Sequence, residues 1–295
     1  MVYQPRRVPR HERLALRGLD HHLTCWGPSA GTPWIMLHGW ADTSDTFQFV
    51  VDAFGRQRRV VAPDWRGFGR SQWQGTPYWF ADYVADLDAL LDHLSPAEPV
   101  SLVGHSMGGN VACLYAGIRP ERVVRVVNLE GLGMRRTRPD EAPARYRRWL
   151  DELKTPPTFA RYESLERFAA VLRRRNPRLT EDRAAFIAAS WSKALPEGGY
   201  TVSSDPAHKL VNPMLYRRDE AEACWQAATA PLLLVLGALS DLASQLGDDA
   251  SEAYLRAHYP TLQLATVPAA GHMLHHEEPE VVAALIEGFF DGPMA

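Results

Sequence analysis

Cysteine is scarce in this sequence of 295 residues. The three cysteines, at positions 25, 113 and 224, lie far apart and form no Cys-x-x-Cys pair. Neither the ligand spacing of a cysteine-based zinc site nor the cysteine density of a disulfide-stabilised small domain is present. We therefore expect three reduced, buried thiols.

Long apolar runs and a strong charge of either sign are also absent. The longest apolar runs, such as residues 231–237, are far shorter than the ~20 residues that cross a bilayer, so no membrane span is expected. The formal net charge of −3 offers no general attraction for nucleic acid or anionic lipid. Residues 1–17 lack the apolar stretch of a secretory signal, which makes a cytoplasmic location the expectation. The sequence leaves open whether the chain is a monomer or a homodimer.

Short apolar runs alternate with amphipathic segments along most of the chain. This alternation is typical of a mostly parallel sheet with helices on both faces, an α/β fold. Amphipathic or buried helices are predicted at residues 80–94 and 110–118. About eight strands are predicted, at residues 11–17, 22–27, 34–37, 59–62, 100–103, 123–129, 232–236 and 262–267.

The composition changes between residues 132 and 226. Arg-rich, helix-favouring stretches at residues 144–153, 164–175 and 180–191 are separated there by proline-containing breaks. We interpret this segment as a helical cap inserted after the sixth strand of the sheet. The predicted domains are therefore a core made of residues 1–131 and 227–295, with a cap of residues 132–226 between its two parts.

Ser106 is the predicted nucleophile. It lies at the centre of residues 104–109, Gly-His-Ser-Met-Gly-Gly, between a predicted strand and a predicted helix. The Gly-x-Ser-x-Gly pattern is typical of a tight strand-to-helix turn that exposes a serine hydroxyl, and its glycines make room for that turn. Because a serine hydroxyl is a poor nucleophile near neutral pH, a base must lie within hydrogen-bond reach.

His272 is the predicted base among 11 histidines. It lies in a glycine-containing loop after the last predicted strand and before the terminal helix, at the sheet edge where active sites of such folds gather. His275 and His276 are interpreted as helix-entry or surface residues. His38 and His105 are interpreted as structural.

A carboxylate must orient this histidine and stabilise the imidazolium that forms during turnover. Asp241, after the seventh predicted strand, is the preferred acid because it gives the chain order Ser, Asp, His. Glu130, at the end of the sixth predicted strand, is the alternative acid. The sequence keeps both candidates open.

Attack on a carbonyl carbon also develops an oxyanion, which needs preorganised N–H donors. The backbone amide of Met107, the residue after the nucleophile, is one predicted donor. The backbone amide of Trp40, which follows the third predicted strand, is the other.

Four motifs are spread across nearly the whole chain: His38-Gly39-Trp40, Asp64-x-Arg66-Gly67-x-Gly69-x-Ser71, residues 104–109 and Gly271-His272. Their combination resembles the α/β-hydrolase superfamily, and most closely bacterial esterases, meta-cleavage hydrolases and serine-hydrolase-like proteins. The resemblance implies the α/β-hydrolase fold, a triad of Ser106, His272 and one acid, and an oxyanion hole from Trp40 and Met107. It implies no metal and no organic cofactor. One departure is that the family's acid usually follows a glycine like Gly237 by three residues, whereas Asp241 follows it by four.

The expected function is hydrolysis of small to medium, mostly apolar carboxylic esters through an acyl-enzyme. The expected partner is a small-molecule ester-like substrate, with no nucleic acid. Aromatic residues of the predicted cap suggest a mostly apolar pocket; they include Trp149, Phe159, Tyr162, Trp191 and Tyr216. Two alternatives stay open: carbon–carbon bond hydrolysis of the meta-cleavage type, and a small-molecule receptor that retains the fold.

Overall fold

The computed structural model describes residues 2–293. The predicted domain limits at residues 1 and 295 lie outside the described residues. The strands are β1 (Arg10–Leu16), β2 (Leu19–Trp26), β3 (Trp34–Leu37), β4 (Val60–Pro63), β5 (Val100–His105), β6 (Val123–Leu129), β7 (Arg161–Tyr162), β8 (Ser192–Ala194), β9 (Tyr200–Val202), β10 (Leu232–Gly237) and β11 (Leu262–Val267).

The α-helices vary from single turns to four turns in length. None of those between residues 2 and 293 combines the length and the apolar composition that a bilayer crossing needs. They are α1 (Gln48–Ala53), α2 (Phe80–Leu94), α3 (Met107–Ile118), α4 (Ala142–Lys154), α5 (Leu165–Arg175), α6 (Glu181–Ser190), α7 (Arg218–Ala227), α8 (Leu242–Leu246), α9 (Glu252–His258), α10 (Leu274–Glu277) and α11 (Pro279–Asp291).

Eight strands form one sheet in the order β1-β2-β4-β3-β5-β6-β10-β11. The first two strands pair antiparallel, as do β2 and β4, and every later pair in the sheet is parallel. The predicted mostly parallel sheet of about eight strands is therefore confirmed. Because parallel strands end at the same edge, the loops after β3, β5, β6, β10 and β11 converge there.

Apolar side chains pack on both faces of this sheet. Ile35 of β3 joins a core shared with α2, α3 and α7, whereas the next residue, Met36, joins a second core shared with α1 and α11. Burial on both faces explains why the central strands are continuous apolar runs rather than alternating ones.

The predicted cap divides into two parts. Helices α4, α5 and α6 form as expected, and residues before α5 and after α6 add a small antiparallel sheet, β7-β9-β8, that the sequence did not predict. Helix α7 instead packs on α3. The two helices are so close that a Cβ atom at Gly117 would overlap the carbonyl oxygen of Cys224. Trp225 of α7 is 1% exposed in the core beside the sheet. We therefore use "the insertion" for residues 132–217 only.

Candidate active site

Ser106 occupies a strained turn between β5 and α3. Its backbone has φ of 50° and ψ of −112°, a conformation that residues other than glycine rarely adopt. A Cβ at Gly104 would lie 2.4 Å from the carbonyl carbon of Gly108, and a Cβ at Gly108 would lie 2.1 Å from the carbonyl oxygen of Leu37. Both positions therefore require glycine, and the structure has the strand, tight turn and helix that the sequence predicted.

His272 faces Ser106 from the loop between β11 and α10. Its Nε2 atom lies 3.1 Å from Ser106 Oγ, and its Nδ1 atom lies 3.2 Å from Glu130 Oε2. With Nδ1–H donating to the carboxylate, Nε2 keeps a lone pair that can accept the serine proton. The three groups thus form one hydrogen-bonded line from carboxylate to hydroxyl.

Glu130, and not Asp241, is the carboxylate that contacts His272. Glu130 is 2% exposed and has a left-handed backbone with φ of 62° directly after β6. Its Oε1 accepts a hydrogen bond from the Gly237 amide at 2.7 Å, and its Oε2 accepts one from Ser240 Oγ at 2.6 Å. The predicted pairing of Asp241 with His272 is wrong, because the loop after β10 turns Ser240 inward and leaves Asp241 exposed at the start of α8.

The two residues whose amides are predicted to be oxyanion donors, Met107 and Trp40, both lie near Ser106. Met107 is the first residue of α3, where an N–H group has no partner within the helix. Trp40 follows Gly39, whose Cβ, if it had one, would lie 3.3 Å from the Ser106 Cβ. Trp40, Met107 and Ser106 all line the same cavity.

His38 fixes the start of the loop that carries Trp40. Its Nε2 accepts a hydrogen bond from the Trp65 amide at 2.9 Å, so the ring proton is on Nδ1, which contacts the Gly39 carbonyl at 2.7 Å. Burial lowers the pKa of His38, which keeps the ring neutral in this role. These hydrogen bonds agree with the interpretation of His38 as a structural residue.

Asp64 holds the same loop from the other side. One of its oxygens accepts hydrogen bonds from the Ser44 amide and hydroxyl, both at 2.7 Å, and the other contacts His22 Nδ1 and the Arg70 amide, both at 2.9 Å. Burial alone would raise the pKa of Asp64, but the hydrogen bond and charge of His22 outweigh it and hold that pKa well below its usual range. Asp64 therefore acts as a fixed anion that orders the turn.

Glu277 fixes the loop that carries His272. Its Oε2 accepts hydrogen bonds from the Gly271 amide at 2.6 Å and from Arg178 Nε at 2.5 Å, and its Oε1 accepts one from Asn176 at 2.7 Å. Burial acts to raise the pKa of Glu277, but its Arg178 partner outweighs burial and lowers it. Sequence reasoning missed Glu277, because its partners in the insertion lie about a hundred residues away and no local motif marks it.

A cavity of about 450 Å³ opens onto Ser106 and His272. One wall consists of aromatic residues that the sequence analysis did not select, Tyr78, Trp79, Phe80 and Tyr83. Of the aromatic residues named for the predicted cap, Tyr216 alone lines this cavity. In the part of the chain that the structure describes, no lysine or arginine lines it.

His208 brings the insertion against this aromatic wall. Its ring stacks between Phe68 and Tyr78, with centroid distances of 3.8 and 3.6 Å. Its Nε2 lies 3.1 Å from the Arg66 carbonyl oxygen and its Nδ1 lies 3.2 Å from the Tyr83 hydroxyl. Burial lowers the pKa of His208 to about 3, so the cavity wall carries no positive charge at this position near neutral pH.

A buried polar cluster lies outside the cavity wall. His275 and His276 are 0% and 1% exposed and face the carboxylate of Asp42, so their interpretation as surface residues is wrong, although both do lie in the short helix α10. The ring of His105, which is also buried, packs on His275. Of the described residues, Asp42, His275 and His276 form the group whose atoms are arranged like metal ligands.

Comparison with known proteins gives consistent matches over most of the chain. A profile of the alpha/beta hydrolase fold matches residues 32–279. A serine hydrolase-like protein of Danio rerio is 29% identical over 272 residues, which are 90% of this chain and 83% of the relative. A 3-hydroxybutyrate-oligomer hydrolase of Cupriavidus necator is 30% identical over 283 residues, which are 90% of this chain and 91% of the relative. A solved structure of a hypothetical protein from Pseudomonas aeruginosa PAO1 has a TM-score of 0.84 and 28% identity, and the match covers 95% of this chain and 99% of that one.

Proposed function

The chain belongs to the alpha/beta hydrolase fold family, and on that premise we propose that this hydrolase cleaves carboxylic esters of neutral, mostly apolar acids through an acyl-enzyme on Ser106. The observation that carries the proposal is the hydrogen-bonded line from Glu130 through His272 to Ser106 Oγ. It ends at the floor of an apolar cavity.

In the proposed reaction, Ser106 Oγ forms a bond to the ester carbonyl carbon while its proton passes to His272 Nε2. Glu130, fixed by its other hydrogen bonds, stabilises the imidazolium. The carbonyl electrons move onto oxygen, where the Trp40 and Met107 amides would donate to the developing charge; each such donor contributes about 3 kcal/mol.

Collapse of this intermediate breaks the carbon–oxygen bond to the leaving alcohol, which takes the proton from His272. Water then attacks the acyl-enzyme with His272 as base, and the acid is released as Ser106 regains its proton. Each proton transfer uses the same Nε2 atom, which is why the tautomer set by Glu130 matters.

The lining of the cavity supports the proposal that the substrate is neutral. Its volume of about 450 Å³ suits a small to medium ligand. With no lysine or arginine in the described part of its wall, and with the Glu130 carboxylate at its floor, an anionic acyl group would be desolvated without a partner. The similarity to a 3-hydroxybutyrate-oligomer hydrolase supports an ester bond, since hydroxy acids form oligomers through ester links.

The insertion supplies the outer wall of the cavity. Ala207, His208 and residues 210–213 line it next to the aromatic residues of segment 77–83, and Tyr216 completes that side. We infer that the insertion is a cap that restricts the substrate by shape and keeps water out while the acyl-enzyme forms.

Hydrolysis of p-nitrophenyl esters tests this proposal directly. We expect wild type to cleave the butyrate and octanoate esters, to react with a fluorophosphonate probe, and to lose both activities in Ser106→Ala. Ser244→Ala removes an exposed serine of α8 and serves as the matched control, with activity near wild type. Equal labelling of Ser106→Ala and wild type would refute the assignment of the nucleophile.

Substrate charge is tested with a pair of esters of similar size. We expect kcat/KM for p-nitrophenyl pentanoate to exceed that for the p-nitrophenyl half-ester of succinate by at least about tenfold, the effect of ~1.4 kcal/mol. A preference for the half-ester would contradict the neutral pocket. Rapid cleavage of a vinylogous dienoate with no ester turnover would instead favour carbon–carbon bond hydrolysis.

A further inference from the structure

Asp42, His275 and His276 direct ligand-type atoms toward one another in a buried space outside the cavity. His275 Nε2 lies 3.3 Å and His276 Nε2 lies 3.5 Å from the same oxygen, Asp42 Oδ2. One ligand-type atom from each of the three residues lies within 4.8 Å of the other two, and each residue is at most 1% exposed. The three residues come from two places in the chain, the turn after β3 and the helix α10.

The two oxygens of Asp42 have very different surroundings. Oδ1 accepts hydrogen bonds from the Thr43 amide at 2.7 Å, from Thr46 Oγ1 at 2.7 Å and from Trp191 Nε1 at 2.6 Å. Within residues 2–293, Oδ2 contacts the two imidazoles alone, at 3.3 and 3.5 Å, which is longer than the roughly 2.7–2.9 Å of a charge-assisted hydrogen bond. Among residues 2–293, His276 Nε2 has no hydrogen-bond partner at all.

We propose that Asp42, His275 and His276 bind one divalent transition-metal ion of the zinc class. Tetrahedral zinc with bonds of about 2.0–2.1 Å places neighbouring ligand atoms about 3.3–3.4 Å apart, close to the two separations from Oδ2. Two imidazole nitrogens and one carboxylate oxygen suit zinc, cobalt or nickel, whereas magnesium and calcium prefer all-oxygen sites. The three donors on Oδ1 orient the carboxylate as outer partners do in metal sites.

The proposed metal site is linked to the active site through a contact with the main chain of His272, and not through the cavity. The His275 ring lies 4.1 Å from the ring of His105, and His105 Nε2 contacts the His272 carbonyl oxygen at 2.8 Å. A bound ion would therefore hold the loop that carries His272 without touching the substrate. It would stabilise the folded enzyme and take no part in bond cleavage.

Access to the site is controlled by the insertion. Trp191 covers Asp42, and Ser190 at the end of α6 contacts the Thr43 hydroxyl. We therefore expect the ion to enter during folding or on opening of the insertion, and to leave slowly when a chelator is added.

Metal content of the purified, untagged chain tests the site. After growth in zinc-supplemented medium and dialysis, we expect about one zinc per chain by elemental analysis. Protein refolded with cobalt should show the visible absorption of a tetrahedral cobalt centre. Metal in 100-fold excess over its Kd should raise Tm by about 5 °C relative to chelator-treated protein.

His276→Gln is the diagnostic variant, because a glutamine amide can donate to Asp42 Oδ2 but does not ligate zinc well. His93→Gln, at an exposed position in the last turn of α2, is the matched control. We expect the first variant to lose the zinc, the cobalt spectrum and the Tm rise, and the control to keep all three.

Two results would overturn the proposal. One is wild type that takes up less than 0.1 equivalent of zinc both as isolated and after refolding with the metal. The other is a His276→Gln protein that still binds one zinc with an unchanged cobalt spectrum. The measurement on wild type needs no variant to fold, so failure of His276→Gln to express does not leave the question unanswered.

Discussion

The substitution Glu130→Gln separates the two candidate acids with almost no change of shape. Glu130 Oε1 accepts a hydrogen bond from the buried Gly237 amide at 2.7 Å. The glutamine must therefore keep its oxygen at this position and turn its NH₂ group toward His272. That group donates where the carboxylate accepted. His272 Nδ1 must then become the acceptor, and its proton moves to Nε2, the atom that should receive the proton of Ser106.

The expected loss is large because the base itself is removed. A wrong histidine tautomer in a serine triad lowers kcat by about 10⁴-fold, which corresponds to about 5 kcal/mol of transition-state stabilisation. Glu130 is 2% exposed, so bulk water cannot easily replace the lost acceptor. The Ser240 hydroxyl can rotate to accept from the new NH₂ group, which keeps the fold intact.

The assay compares kcat for p-nitrophenyl butyrate and the rate of fluorophosphonate labelling in Glu130→Gln and Asp241→Asn. We expect the first to fall by at least about 10³-fold in both readouts and the second to stay within about twofold of wild type, with both Tm values close to that of wild type. A thousandfold loss in Asp241→Asn with near-normal Glu130→Gln would show that the geometric argument is mistaken.

Three further outcomes follow from the packing around the site. Gly108→Ala should lower the free energy of unfolding by about 3 kcal/mol or more in urea denaturation, since its Cβ would lie 2.1 Å from the Leu37 carbonyl oxygen; a stable variant would contradict the need for glycine there. Arg178→Met should lower Tm and reduce kcat by about tenfold or more while leaving KM nearly unchanged, because buried Glu277 loses its ion pair and the histidine loop shifts. His208→Phe should flatten the acid side of the stability profile. With a folded pKa of about 3 and an unfolded value of about 6.5, His208 costs stability as pH falls from 6.5, up to about 3 kcal/mol at pH 4.5, and unchanged pH dependence in the variant would refute this.

The sheet could be predicted from the sequence because its strands are short apolar runs bounded by glycine, proline or charge. The predicted strand at residues 34–37 coincides with β3, and the one at 123–129 coincides with β6. The helix at 80–94 is marked by amphipathic spacing over more than ten residues, which is a strong signal, and the helices of the insertion are marked by stretches of helix-favouring composition. Strands β7 to β9 have two or three partly exposed residues each, which is too short for any periodicity to appear.

The sequence does not predict those parts of the site in which the direction of a side chain depends on loop geometry. Ser106 and His272 are marked by local motifs, and the structure brings them together. The choice between Asp241 and Glu130 depends on a left-handed residue after β6 and on the turn after β10, neither of which the sequence specifies. The burial of His275 and His276 likewise depends on the distant Asp42, which no local pattern connects to them.

The hydrogen bonds from Arg178 and Asn176 to Glu277 join the insertion to the loop that carries His272. A chimera that received the insertion of another family member, and with it a new substrate range, would also receive a new anchor for the base. Recombination between relatives should therefore succeed most often when the exchanged segment and the last fifty residues come from the same parent. Changes of specificity in this lineage would then carry changes of catalytic rate with them.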